Sequence, residues 1–259
     1  MGAPRRLGSA LAVLAMLALT AVGASAITYG VPDGDGHPNV GAVLENDWAI
    51  CTGTYIGKGA GAYKGRGIVL TAAHCIDHPN TPGTYTVSFD PTDPEGGYPG
   101  VAYVYPGYTW KQGDPGDMAV IVLVEAPSGL PAAALPREGR LSELAKAGDL
   151  KKALFTAVGY GDCETTCDVE RRVAQSRYTT LTKAWLKLSQ NNAQGYGGTC
   201  YGDSGGPNFY VNPTTKAEEF IAGLTITGDS MCRATNVTYR LDTPEALGFI
   251  GQFIALPTP

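Results

Sequence analysis

The order of a candidate nucleophile and the histidines constrains this 259-residue chain more than any other feature. The segment GTCYGDSGGPNF, residues 198–209, surrounds Ser204 with glycines and places an aspartate beside it. A serine hydroxyl becomes a nucleophile when a histidine, itself oriented by a carboxylate, accepts its proton. All three histidines precede this serine: His37, His74 and His78. The α/β-hydrolases share the G-x-S-x-G pattern but place their histidine after the serine, so that fold is excluded as the source of a triad.

His74 has the most suitable surroundings for a general base. It follows the apolar run GIVLTAA, residues 67–73, and precedes Cys75, and two alanines leave space beside its ring. His37 and His78 lie in DGDGHPNV and IDHPN, turn-like segments in which solvated histidines are common. A histidine satisfied within the core is the alternative interpretation of His74.

Asp117 is the predicted orienting carboxylate. It stands directly before MAVIVLV, a strongly apolar run, where a carboxylate would be desolvated unless a donor such as a histidine N–H reaches it. The other aspartates between His74 and Ser204 that could serve lie in turn-rich segments typical of solvated acids: Asp90, Asp93 and Asp114.

The first 26 residues are typical of a signal peptide. Arg5 and Arg6 form a positive start, residues 10–22 are apolar, and the small residues 24–26 suit a cleavage site. A retained amphipathic anchor is the alternative. Cleavage would remove two arginines from a chain whose net charge is already −5, so we expect no affinity for nucleic acid or for anionic membranes.

Six cysteines follow the signal peptide: Cys51, Cys75, Cys163, Cys167, Cys200 and Cys232. An even number in this context predicts a secreted, extracellular protein with three disulfides, although the pairing stays open. A structural zinc site would need closely spaced ligand pairs, and only CETTC, residues 163–167, offers one. We therefore expect neither a metal nor another cofactor.

Short runs of β-branched and aromatic residues, punctuated by 35 glycines and 18 prolines, predict a mostly β fold. The clearest runs are residues 39–44, 67–73, 85–90, 119–124 and 220–227. The best helix signal comes last, where Thr243 can cap and Pro244 suits the first helical position. The pattern predicts a sandwich or barrel of short strands closed by one C-terminal helix.

The order of His74, Asp117 and Ser204 resembles that of the chymotrypsin-like serine proteases, the trypsin family. The motifs are TAAHC at 71–75, GDMAVIVL at 116–123 and GDSGGP at 202–207, with further similarity in CTGTYI at 51–56 and VGYG at 158–161. The resemblance implies that residues 27–259 form one peptidase domain of two six-stranded antiparallel β-barrels with a C-terminal helix. It also implies a serine endopeptidase that acts on proteins or peptides, and we expect this secreted protein to be a monomer.

The resemblance assigns roles to single residues. His74 would be general base and then general acid, Asp117 would orient it, and Ser204 would attack the scissile carbonyl. The backbone N–H groups of Gly202 and Ser204 would form the oxyanion hole, into which a side chain at Gly202 would intrude. The family also implies the disulfides Cys51–Cys75 and Cys200–Cys232, which leaves Cys163 with Cys167.

The primary specificity pocket departs from the trypsin-like pattern. The resemblance puts Gly198 at the floor, where trypsin-like members carry aspartate, and Thr199 and Gly228 on the walls. We therefore expect a neutral, open pocket for aromatic or large apolar side chains. Asp229 is close enough in sequence to leave a basic preference possible.

Activation in the family requires a new apolar N-terminus that folds inward and pairs with the aspartate before the nucleophile. Cleavage after Ala26 would expose Ile27, whose ammonium would pair with Asp203. We thus expect export and activation to be one event. The alternative is cleavage elsewhere, with Ile27 as an ordinary first-strand residue.

Three further questions stay open. The resemblance puts Asn236, in the sequon NVT, near the pocket, where a glycan would obstruct substrate. The acids Asp90, Asp93 and Glu95 fall where some relatives bind calcium, although solvated turn acids are the alternative. A catalytically silent relative that acts as a binding or adhesion protein, or an esterase on the same fold, would be the alternatives to a peptidase.

Overall fold

The computed structural model describes residues 27–111, 113–161 and 169–257. Within these residues, strands form two closed antiparallel β-barrels that are followed by a short C-terminal helix. The expected fold is therefore confirmed. The predicted signal peptide and the pair Cys163 and Cys167 lie outside the described residues.

The first barrel is hydrogen-bonded in the order β2-β3-β4-β7-β6-β5 and closes between β5 and β2. Its strands are β2 (Val40–Glu45), β3 (Trp48–Lys58), β4 (Gly67–Thr71), β5 (Tyr85–Ser88), β6 (Tyr98–Val104) and β7 (Ala119–Leu123). Strands β4 and β7 are buried along their whole length, as their unbroken apolar sequences predict. Strand β4 leads into the turn of the candidate histidine, and β7 begins just after the candidate aspartate, so the barrel core fixes both residues.

The second barrel runs in the order β9-β10-β13-β12-β11-β8 and closes between β8 and β9. Its strands are β8 (Leu154–Gly159), β9 (Arg172–Leu181), β10 (Trp185–Ser189), β11 (Pro207–Val211), β12 (Glu218–Gly228) and β13 (Thr235–Arg240). The short β1 (Val31–Pro32) pairs with β9 at residues 172–173. The N-terminal segment is thereby attached to the second barrel before the chain enters the first.

Within the described ranges two α-helices lie outside the barrels, α1 (Arg140–Ala147) and α2 (Pro244–Ile250). The Thr243 side chain caps α2 by accepting the N–H of Ala246, as predicted. Phe249 and Phe253 then pack against Tyr105 and Tyr103 of the first barrel, with ring centroids 5.5 Å apart in each pair. The C-terminal helix thus returns from the second barrel and joins it to the first. Single 3-10 turns occur at Gly61–Tyr63, Ala73–Cys75 and Asn192–Gln194.

No helix among the described residues is long and apolar enough to cross a membrane.

A buried charge cluster holds the N-terminal segment between the barrels. Arg171, only 1% exposed, donates from Nε to Asp33 Oδ2 at 2.7 Å and from a terminal nitrogen to the carbonyl of Val40 at 3.2 Å. The ring of His37 lies between Asp33 Oδ1, at 2.5 Å, and Glu218 Oε2, at 3.0 Å. The cluster thus links the segment after β1 to β2 of one barrel and β12 of the other.

Candidate active site

His74 lies in the 3-10 turn that follows β4. Its ring Nδ1 is 2.8 Å from Asp117 Oδ2, and its backbone N–H donates to Asp117 Oδ1 at 3.0 Å. Because an ionised carboxylate only accepts, Nδ1 must donate, which leaves Nε2 free of a proton in the neutral ring. The arrangement orients the imidazole as a general base requires.

Asp117 is the aspartate that contacts His74. Its side chain is 3% exposed, at the entrance to β7, so two donors from His74 compensate its loss of hydration. Asp114 instead accepts the backbone N–H of Thr109, and Asp90 accepts N–H groups within its own turn, including that of Asp93. The local contacts of these other candidates therefore leave Asp117 as the partner of the histidine.

Ser204 faces the same cleft as His74 and Asp117. The cleft measures about 470 Å³ and lies between the barrels. Its lining residues are His74, Tyr108, Gly113, Asp117, Thr199, Cys200, Tyr201, Ser204, residues 225–230 and Cys232. The last group, residues 225–230 with Cys232, is called the 225–232 wall below. Among the described residues no hydrogen bond joins the side chains of His74 and Ser204, although both line the same cleft.

Gly202 has a backbone conformation that suits an oxyanion-hole residue. Its φ is +88°, in the left-handed region that L side chains rarely adopt, and an added Cβ would lie 2.7 Å from the Cα of Gly161. Two hydrogen bonds hold the turn that follows, from Asp203 N to Cys200 O at 3.2 Å and from Gly206 N to Asp203 O at 2.9 Å. Only glycine fits this position.

The predicted pocket residues differ in their placement. Thr199 and Gly228 line the cleft, whereas Gly198 is not among the lining residues. A side chain at Gly198 would collide with the buried Gln190, whose amide bonds both the N–H and the carbonyl of Thr199. Gln190 therefore fills the space behind Thr199 in which a longer residue at 198 would lie.

Asp229 lines the cleft, but its carboxylate is bonded within its own loop. It accepts backbone N–H groups from Arg233, Ala234 and Thr235 at 2.7–3.0 Å. Burial alone would raise the pKa of Asp229, but these three bonds outweigh that effect and lower it. The charge is thus compensated by the loop rather than left for a basic substrate.

Ile27 and Asp203, the predicted activation pair, are both fully buried. Ile27 packs with Ala157 and Ala174 of the second barrel. The Asp203 carboxylate accepts the N–H groups of Gly161 at 2.9 Å and Cys200 at 2.8 Å. Both residues thus lie in the interior, Asp203 in the nucleophile turn and Ile27 among small residues of the second barrel.

Two disulfides brace the cleft. Cys51–Cys75 ties β3 to the turn of His74, and Cys200–Cys232 ties the nucleophile segment to the opposite wall. The one group of metal-ligand type among the described residues, Cys51, His74 and Cys75, contains this first disulfide, so its sulfurs are not thiolates.

Asn236, the sequon residue, is buried in the described structure. Its side-chain amide donates to Asn208 Oδ1 at 2.9 Å, and the residue has no exposed surface. A glycan attached to this nitrogen would require β13 to leave the barrel.

Comparison with known proteins agrees with this geometry. The family model described as Trypsin matches residues 38–245. This chain belongs to the trypsin family. No curated protein sequence matches the chain. Membership of the trypsin family implies serine endopeptidase activity and the chymotrypsin fold, which accounts for the two barrels and their cleft.

Three residues near the trypsin-family site were not identified from the sequence. Tyr108 lines the cleft from the loop before Asp117, and Gln190 is buried behind Thr199. Thr52 contacts the nucleophile segment across 150 positions of sequence. Tyr108 and Gln190 belong to no motif, and Thr52 lies inside CTGTYI without a spacing that would distinguish it.

Proposed function

We propose that this trypsin-family chain is a secreted serine endopeptidase whose catalytic residues are His74, Asp117 and Ser204. The observation that carries the proposal is the bidentate contact of Asp117 with His74 in the cleft that Ser204 lines. A histidine held in one tautomer by a buried carboxylate, beside a serine, is the arrangement that acyl transfer needs.

The reaction begins when His74 Nε2 accepts the hydroxyl proton as Ser204 Oγ attacks the scissile carbonyl. Asp117 keeps Nδ1–H in place and stabilises the imidazolium that forms. The backbone N–H groups of Gly202 and Ser204 donate to the oxyanion, and one such donor contributes about 3 kcal/mol in the transition state. His74 then protonates the leaving amine, and a water activated by the same ring hydrolyses the acyl-enzyme.

We propose a primary specificity pocket that is neutral and suits aromatic or large apolar side chains. Thr199 and Gly228 face the cleft, and the Asp229 carboxylate is bonded to its own loop. Among the described residues, this wall therefore offers no free carboxylate to a lysine or arginine side chain.

Secretion follows from the predicted signal peptide and is supported by the disulfides Cys51–Cys75 and Cys200–Cys232, which form in oxidising compartments. Signal cleavage after Ala26 would also supply the Ile27 ammonium that Asp203 pairs with.

Turnover of a peptide library by the mature protein and by its Ser204→Ala variant tests the catalytic assignment. We expect the wild type to cleave peptide bonds and the variant to lose about 10⁶-fold in kcat. A wild type that binds peptides without cleaving them would instead indicate a binding protein, and cleavage of esters alone an esterase.

A further inference from the structure

The side chain of Thr52, on β3 of the first barrel, reaches the nucleophile segment of the second. Its hydroxyl donates to the carbonyl of Gly202 at 3.1 Å and accepts the N–H of Tyr160 at 3.1 Å. Its backbone N–H donates to the carbonyl of Ser204 at 2.9 Å. One buried residue thus holds the chain on both sides of Asp203.

The carbonyl of Thr52 is bonded as well. It accepts the hydroxyl of Thr71 at 2.8 Å, at the end of the strand that leads into the turn of His74. Thr52 therefore contacts both the segment that presents the base and the segment that presents the nucleophile.

Gly202 needs such support because glycine restricts its own backbone least. Its N–H is the candidate oxyanion donor, and its φ of +88° is one of several values that glycine tolerates. Both polar groups of the peptide between Gly202 and Asp203 are bonded. Thr52 donates to the Gly202 carbonyl, and Cys200 O accepts the Asp203 N–H at 3.2 Å. With that side fixed, the direction of the Gly202 N–H is restricted too.

We propose that the Thr52 hydroxyl is a positioning group for the oxyanion hole, which keeps the Gly202 N–H directed at the reacting carbonyl. The proposal rests on the function proposed above. Thr52 does not touch substrate, and it acts through the backbone of Gly202. Because a preorganised donor needs no reorientation during the reaction, its loss affects the transition state more than substrate binding.

Thr54 provides a matched control on the same strand. Both threonines are fully buried, but the Thr54 hydroxyl has no hydrogen-bond partner among the residues that the structure describes. Thr52→Val and Thr54→Val make the same isosteric change, and only the first removes a contact to Gly202.

The kinetic test compares Thr52→Val, Thr52→Ser and Thr54→Val with the wild type. We expect Thr52→Val to lower kcat about tenfold with KM nearly unchanged, and its affinity for a peptide aldehyde, which forms a tetrahedral adduct, to fall about as much. Thr52→Ser keeps the hydroxyl and should restore kcat, and Thr54→Val should behave as the wild type. Equal kcat values for the two valine variants, or an equally impaired serine variant, would overturn the proposal.

Hydrogen exchange of residues 198–206 provides a readout that needs no catalysis. We expect the backbone amides of residues 198–206 to exchange faster than in the wild type in Thr52→Val but not in Thr54→Val. The comparison is made under conditions in which the variants have equal global stability. A wild type without turnover would contradict the proposed function, and the exchange comparison would still decide the role of Thr52. Identical exchange in both valine variants would contradict that role.

Discussion

Single residues on the 225–232 wall are expected to decide which side chains the cleft accepts. Asp229 is the acid that could attract a basic residue, but three backbone N–H groups surround its carboxylate. For this carboxylate to bind a basic side chain of the substrate, these hydrogen bonds would have to break, and each of them is charge-assisted. We therefore expect the loop to favour uncharged side chains in the pocket.

Peptides with Phe, Tyr or Leu before the scissile bond should be cleaved at least about tenfold faster than those with Arg or Lys, a difference of about 1.4 kcal/mol. Cleavage rates on matched peptides measure this preference, and Asp229→Asn serves as control. A preference for Arg or Lys that disappears in Asp229→Asn would show that the carboxylate reaches the substrate.

At the scale of elements, the segment between β1 and β2 is held by alternating charges. His37 stacks on Phe209 at 5.5 Å and lies between the carboxylates of Asp33 and Glu218, while Arg171 bonds the far side of Asp33. Burial alone would lower the pKa of His37, but the two carboxylates outweigh it and raise the pKa to about 9. The imidazolium thus joins the N-terminal segment to β12.

The pH dependence of stability tests this link. Because the folded pKa lies above the ordinary 6.5, the stabilisation is complete below pH 6.5 and is lost as pH rises to about 9. In the Ser204→Ala background, His37→Gln should lower the free energy of unfolding by the order of 2 kcal/mol at pH 6 and by little at pH 9.5. Urea titrations at the two pH values measure this free energy of unfolding. The exposed His78→Gln should show no such trend, and a pH-independent loss in His37→Gln would refute the account.

The helices show how far sequence signals extend at this scale. The start of α2 could be predicted because Thr243 and Pro244 are a strong local start signal. Helix α1 was not predicted because it begins after Gly139, which has a φ of +72° and no side chain to cap it. The apolar runs predicted β2, β4, β5, β7 and β12, whereas barrel closure depends on pairings between distant strands.

At the candidate site, too, the sequence predicts what local segments determine but not the contacts between distant segments. The motif order indicated His74, Asp117 and Ser204, because each lies in a segment with a distinctive local composition. The contacts of Thr52 and Gln190 were not predictable, since they depend on how two barrels bring distant segments together.

For the whole molecule, we expect maturation to join the N-terminus to the cleft. Thr28 Oγ1 donates to the carbonyl of Cys232 at 2.9 Å, and the Gly198 N–H donates to the Thr28 carbonyl at 3.0 Å. Thr28 therefore contacts Cys232, which lines the cleft, and Gly198, which precedes the lining residue Thr199.

N-terminal sequencing of active secreted protein should start at Ile27, and Asp203→Asn should lower kcat/KM at least about a hundredfold, since loss of one partner of a buried pair costs about 3–5 kcal/mol. The exposed Asp93→Asn is the control. Full activity with another N-terminus, or in Asp203→Asn, would refute coupled export and activation.

The central claim is that Ser204 is the nucleophile of a working peptidase. Labelling of the mature protein with a phosphonofluoridate, followed by mass spectrometry of its peptides, tests this directly, because such reagents react with a serine that a neighbouring base activates. The account predicts a single stoichiometric adduct on Ser204 that Ser204→Ala lacks. An unlabelled protein, or an adduct on another residue, would contradict it.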